Sequence, residues 1–156
     1  MQARQRAAIK KMSGPNHSES FVLFELAGST CAVRSEAVQS VEMVEHVTAV
    51  PNALPFVEGV TFTRGRVIPS VNLRVRFGLP RIPVDLRARM LVVRSKDHTA
   101  GMLVDSAREF VSIPADAIEP PAETVAGFSL QYVEGIATLG NRVVLILNLE
   151  EVIEGV

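Results

Sequence analysis

The chain is 156 residues long, with a formal net charge of −1, 47% hydrophobic residues and 5% aromatics. This length accommodates one compact domain or two intimate subdomains, with enough apolar surface for a sizeable core. The charge balance excludes a global attraction to nucleic acid or anionic membrane, and no apolar run approaches the roughly 20 residues that span a bilayer.

Residues 1–20 carry Arg4, Arg6, Lys10 and Lys11 and then a Ser/Gly/Pro/Asn run, the composition of a mobile tail. From Phe21 the pattern is that of strands. Phe21–Leu26 and Thr30–Val33 read as a hairpin about Ala27-Gly28-Ser29. Ser35–Val41 reads as one or two helical turns, with Ser35 as N-cap and Val38 and Val41 on one face. A short strand at His46–Val50 and a proline-punctuated turn at Pro51–Pro55 lead to a hairpin that turns at Arg64-Gly65.

The strand after that turn alternates. Val67, Pro69, Val71, Leu73, Val75 and Phe77 are assigned to a buried face. Arg66, Ile68, Ser70, Asn72, Arg74 and Arg76 are assigned to a wet, largely cationic one. Pro69 marks an edge or a bulge. Residues 80–89 form a linker with two prolines. Strands follow at Met90–Val93, Ala100–Val104 and Glu109–Ile113, then a loop over Pro114–Gly127. A last hairpin ends in Val143–Leu149, which is apolar on both faces and is expected to be core.

Residues 57–73, VEGVTFTRGRVIPSVNL, and residues 133–149, VEGIATLGNRVVLILNL, are two copies of one pattern, 76 positions apart. The copies share a glycine, a hairpin loop and a strand of defined phase. Two such units imply two related β-modules packed together, because each alone is too small for a good core. About five strands per half points to two small closed barrels, which remove exposed sheet edges. Gly59 and Gly135 are then expected at equivalent places.

Chemistry is sparse. His17, His46 and His98 show no metal-ligand spacing, and the glycines are scattered singly rather than gathered in a phosphate loop. No catalytic residue, metal or cofactor is expected. The single cysteine, Cys31, has no partner for a disulfide and reads as a buried small hydrophobe, which fits a soluble cytoplasmic protein. The compositional anomaly is arginine: 13 against 3 lysines, seven of them between Arg64 and Arg89. Arginine is enriched at protein interfaces, which makes Arg66, Arg74 and Arg76 interface candidates, a solvated strand face being the plain alternative. Single-strand nucleic acid binding needs aromatics stacked beside the basic groove, and only Phe62 and Phe77 are close.

Leu54–Val60, then Arg64-Gly65, Val67-Ile68-Pro69 and Asn72-Leu73-Arg74, together resemble the signature of CheW-like domains, adaptors that couple bacterial chemoreceptors to a histidine kinase. Leu103-Val104-Asp105 and Tyr132–Ile136 extend the resemblance, which covers about Phe21–Ile153. It implies an all-β fold of two packed five-stranded SH3-like β-barrels with short helical turns, the first about 21–79 and the second about 88–153, with strand exchange between them left open.

The resemblance also implies a non-catalytic cytoplasmic scaffold associated with receptor arrays at the inner membrane. Its partners would be a histidine kinase regulatory domain and the cytoplasmic tip of a methyl-accepting chemoreceptor, with no nucleic acid and no membrane insertion. Receptor contact would run through Val38, Gly59 and Arg64. On the residues alone, Val38 serves equally as helix packing, Gly59 as a turn glycine and Arg64 as a structural arginine. A small barrel that binds nucleic acid or another protein is the alternative. Phe62 and Thr63 stand where the family commonly has Asn-Leu, Asn72 where Asp is frequent, and Cys31 where an aromatic is usual.

Overall fold

The computed structural model describes residues 17–121 and 127–156. The basic part of the N-terminal tail and the middle of the loop before Gly127 lie outside the described residues. The strands are β1 (Ser18–Leu26), β2 (Ser29–Arg34), β3 (Val38–Met43), β4 (Val57–Thr63) and β5 (Arg66–Asn72), then β6 (Arg89–Ser95), β7 (His98–Val104), β8 (Ser106–Pro114), β9 (Ile118–Glu119), β10 (Val133–Leu139) and β11 (Arg142–Leu147). One-turn helices α1 (Leu73–Arg76) and α2 (Leu149–Val152) end the two repeats.

The strands form two sheets, ordered β9-β10-β11-β2-β1-β8 and β3-β6-β7-β5-β4. Each sheet draws strands from both halves of the chain. The hairpin β4–β5 pairs with β7 of the second half, and β10–β11 pairs with β2 of the first, both through parallel contacts. Apart from the two-residue β9, the two orders are the same under exchange of the halves, so the duplication read in the sequence is a duplication of architecture. The details repeat as well. A register shift lies at Val57/Gly59 in one copy and Val133/Gly135 in the other. Asn72 and Asn148 each cap the following helix by accepting from the backbone N–H three residues on, at 3.2 and 3.3 Å. Their own N–H groups donate to the carbonyls of Phe56 and Tyr132 at 2.7 and 2.8 Å.

Both sheets curl. β8 and β9 lie at opposite edges of the first sheet yet are joined only by the 3₁₀ turn Ala115–Ala117. A flat six-stranded sheet would hold its edges roughly 24 Å apart at about 4.8 Å per strand, whereas Pro114 to Ile118 spans at most about 14 Å. In the second sheet the edges meet through Thr48, which exchanges backbone hydrogen bonds of 2.9 and 2.8 Å with Val60 of β4. Glu42 of β3 also accepts from the Thr63 hydroxyl of β4 at 2.8 Å. Among the described residues no ladder joins β8 to β9 or β3 to β4, so the two expected barrels are not fully closed. Their edges approach through a chain turn in one sheet, and through a single bridge and a side chain in the other.

The central strands bury both faces. In β1, Val22, Phe24 and Leu26 enter a large core shared by the sheets, while Phe21 and Leu23 point into a smaller cluster. β11 divides likewise: Leu145 and Leu147 in the shared core, Val144 and Ile146 in the smaller one. In the second sheet the repeat counterpart of Ile146 is Ser70, fully buried, its hydroxyl 2.6 Å from that of Thr61.

Several local expectations are corrected. Ser35–Ala37 is a 3₁₀ turn without a side-chain cap, and Val38–Met43 is a strand in which Val38, Ser40 and Glu42 are half-buried and Gln39, Val41 and Met43 are exposed. Val38 and Val41 are β-branched, and the segment that carries them is drawn into the ladder with β6. His46–Val50 contributes only the bridge at Thr48. The first repeat strand stops at Asn72, which turns the chain into α1, so Arg74 and Arg76 are not on a strand face. Its phase is also different: Ile68, Ser70 and Asn72 are buried and Val67 is exposed, because the strand has the curled interior on one side and the shared core on the other. Pro69 faces Val60 of β4, and the parallel pairing to β7 begins only at Ser70, so the missing N–H falls where β5 has one neighbour. Val143 is exposed and Leu149 only partly buried, since the final strand ends at Leu147.

Candidate protein-interaction site

The hairpin tip Arg64-Gly65 has positive φ at both residues, 51° and 76°, the geometry of a two-residue hairpin that matches strand twist. Ala27 shares this conformation, so Arg64 is not singular in its backbone. Its side chain is 75% exposed and reaches Glu42 only at 3.4 Å. Glu42 itself is well held: Ser40 and Thr63 hydroxyls donate at 2.7 and 2.8 Å. Those two bonds, with a smaller contribution from Arg64, outweigh burial and keep the Glu42 carboxyl below its usual range.

Val38 pairs with Val93 at the start of the β3–β6 ladder and packs against the shared core. Gly59 is buried at the β4 bulge, five positions before Arg64, roughly 17 Å along the strand at about 3.3 Å per residue. The three residues named by the resemblance thus lie on the two edge strands of one sheet and at the tip that joins β4 to β5. Arg64 shares a recess of about 210 Å³ with Gln39, Ser40 and Arg66, whereas Gly59 does not reach it.

The remaining arginines have local work. Arg74 forms a two-pronged pair with Asp105 at 3.0 and 2.7 Å and donates to the Pro80 carbonyl at 3.1 Å. Asp105 also accepts from the Ala27 N–H at 2.8 Å, so this cluster ties α1 and the linker to the tip of the first hairpin. Arg76 donates to the carbonyls of Val152, Glu151 and Glu154 at 3.0, 3.0 and 3.2 Å and lies 4.1 Å from the Phe56 ring centroid. It caps α2 from the other repeat. Arg81 binds Glu58, Arg87 binds Asp85, and Arg89 binds the carbonyls of Leu86 and Ala88. A cationic strip for nucleic acid is therefore largely dismantled by intramolecular bonds.

The recess of about 310 Å³ beside Arg74 has acidic and basic walls matched to each other, Arg74 to Asp105 and Arg87 to Asp85. Among the described residues no group of three or more His, Cys, Asp or Glu is arranged for a metal ion, and no helix is long and apolar enough to cross a membrane. Cys31 is buried, and burial, with the nearby charges of Asp105 and Glu25, pushes its thiol pKa well up, which leaves it unreactive.

Burial raises the pKa of Asp105, but hydrogen bonds from Arg74 and the Ala27 N–H, with the Arg74 charge, outweigh it and hold the carboxyl below its ordinary value. A depressed folded pKa stabilises the protein above the unfolded value of about 3.9 and loses that contribution as pH falls through the folded value. Arg74→Ala is expected to lose about 1–3 kcal/mol at pH 7, because the half-buried carboxylate keeps only the Ala27 donor. The deficit should shrink once acid protonates Asp105 in both proteins. Urea denaturation at neutral pH and near pH 3 measures this, and a deficit that stays constant would remove the ion pair as its source.

Sequence reading missed Glu42, hidden by the helical assignment of its strand, and Asp105 as the partner of Arg74. Only the alternation of Ser40 and Glu42 with apolar residues could have signalled the former.

Two curled, internally duplicated sheets, with an arginine-bearing hairpin tip and most other charges matched internally, define an interaction scaffold. The chain belongs to the family of CheW-like domains, which it matches over residues 20–156. It is 26% identical over 147 residues to the chemotaxis protein CheW of Klebsiella aerogenes, covering 94% of this chain and 89% of that one. It is 37% identical over 108 residues to CheW of Helicobacter pylori, covering 69% and 64%. The crystal structure of the scaffolding protein TtCheW from Thermoanaerobacter tengcongensis superposes with a TM-score of 0.82 at 28% identity, covering 88% of this chain and 94% of that one. Its function is that of a coupling adaptor in chemotaxis signalling.

Proposed function

We propose that the protein holds a histidine kinase regulatory domain against the cytoplasmic tip of a methyl-accepting chemoreceptor, catalysing no reaction and requiring no cofactor. It acts at receptor arrays on the cytoplasmic side of the inner membrane. The observation that carries the reading is Arg64: at a hairpin tip, three-quarters exposed and held only by a long contact to Glu42. The second repeat has Gly140 at the aligned place. A residue needed only for shared barrel geometry would have a counterpart in both copies. Val38 and Gly59 support the same sheet from within, as core packing and as the bulge that admits Thr48. Arg74 and Arg76 act inside the fold, and Arg66 joins Arg64 at the partner surface.

Arg64→Ala is expected to stay folded, with a melting temperature within about 2 °C of the parent, since an exposed side chain with one weak contact contributes under about 0.5 kcal/mol. It is expected to lose receptor-dependent control of the kinase in an assay reconstituted from receptor, adaptor and kinase. Normal coupling by the folded variant would overturn the role of Arg64. A large fall in melting temperature would return it to a structural one.

A further inference from the structure

Of the arginines whose side chains are described, Arg34, Arg74, Arg81, Arg87 and Arg142 donate to carboxylates, and Arg76, Arg89 and Arg94 to backbone carbonyls. Arg66 makes neither kind of bond, and its neighbour Arg64 makes a long one. Both line the recess of about 210 Å³ between β3 and the β4–β5 tip, with Gln39, Ser40 and Thr63 beside them and Ile68 beneath. Among the described arginines, the two with the least internal satisfaction thus stand together over an apolar floor.

The second repeat shows what satisfaction looks like. Arg142, the counterpart of Arg66, donates to Glu109 of the edge strand β8 at 3.1 Å. In the first repeat the edge-strand carboxylate, Glu42, is instead occupied by two hydroxyls and by Arg64, and Arg66 is left facing solvent.

We propose that this recess is a carboxylate-binding subsite that takes an acidic side chain from the helical tip of the receptor, with Arg66 as its principal donor. The inference rests on the adaptor reading above and names the chemistry of that contact. A guanidinium presents a planar fork that pairs a carboxylate through two parallel bonds. The Ser40 and Thr63 hydroxyls already donate to Glu42, so the donors that remain are the arginines and the Gln39 amide. Glu42 is ionised at the rim, and its charge repels a doubly charged phosphate more strongly than a singly charged carboxylate.

The test is binding of a soluble chemoreceptor tip hairpin, read by calorimetry, to the parent, Arg66→Glu and Arg66→Gln. Arg66→Glu is expected to weaken binding by at least about tenfold at low salt, and Arg66→Gln by about threefold to tenfold, both with unchanged melting and unchanged affinity for the kinase regulatory domain. A Glu→Lys change at one acidic position of the hairpin is expected to restore binding to Arg66→Glu while weakening binding to the parent. If the parent binds and Arg66→Glu binds equally well, the subsite is wrong and the adaptor reading stands. If no acidic position of the tip shows the exchange, the recess takes no partner carboxylate. If the parent itself does not bind the hairpin, both readings fall.

Discussion

Gly59→Ala is expected to lose about 3 kcal/mol or more of stability and to melt roughly 6–12 °C below the parent. A Cβ at this position would stand 2.0 Å from the Thr48 carbonyl oxygen and 2.6 Å from its carbon, far inside contact distance. The obstacle is backbone, so no side-chain rotation relieves it. The Thr48 segment must move away, which breaks the two hydrogen bonds to Val60 that tie this segment to the edge strand β4. The residue also sits at φ +151°, where an L side chain is strained. Two other glycines set the scale. Gly65→Ala, at φ +76° with open space around it, should cost only about 1 kcal/mol. Gly135→Ala should fall between them, because its nearest obstacle is an Ile118 methyl at 2.7 Å, which a rotamer change can shift. Thermal melts of the three variants check the order. A Gly59→Ala protein no less stable than Gly65→Ala would mean that the Thr48 segment does not press on the bulge.

Leu147→Ala is expected to lose about 2–5 kcal/mol, whereas Val143→Ala should change stability by less than about 0.5 kcal/mol. The two residues lie on one strand, four positions apart, on the same face, and the period of two gives them the same sequence signature. Leu147 is 2% exposed within the shared core, and Val143 is 52% exposed beyond it. Truncating Leu147 leaves a cavity among residues of both sheets, so the sheets should still unfold together, at a lower urea midpoint with little change in slope. Similar losses in the two variants would place Val143 inside the core and contradict the observed edge of burial.

The fate of the arginine cluster shows where linear pattern stops being informative. Seven arginines between Arg64 and Arg89 look alike as a string. In the fold, Arg74 meets Asp105 from 31 positions away and Arg76 meets carbonyls about 75 positions away, while the Arg66 side chain meets no carboxylate or carbonyl among the described residues. Which cation is internally matched depends on partners brought by chain reversal, and no local signal encodes that distance. The phase of β5 failed for a related reason. Alternation reports burial only where one face of a strand is wet, and β5 runs between the curled interior and the core shared with the other sheet.

What the sequence by itself determined was the duplicated unit. The repeat at a spacing of 76 residues carried the two equivalent glycines and the two hairpins, because each depends on backbone geometry set by a few neighbouring residues. The bulges at those glycines and the Asn72 and Asn148 caps emerged only in the structure. Family membership followed from the same short motifs. Only the tertiary structure decided that the units exchange strands, with β1–β2 joining β11 and β6–β7 joining β5. A β-strand offers the same hydrogen-bonding edge to any suitable partner, so the choice between a neighbour in its own half and its equivalent in the other is made by packing of the whole chain.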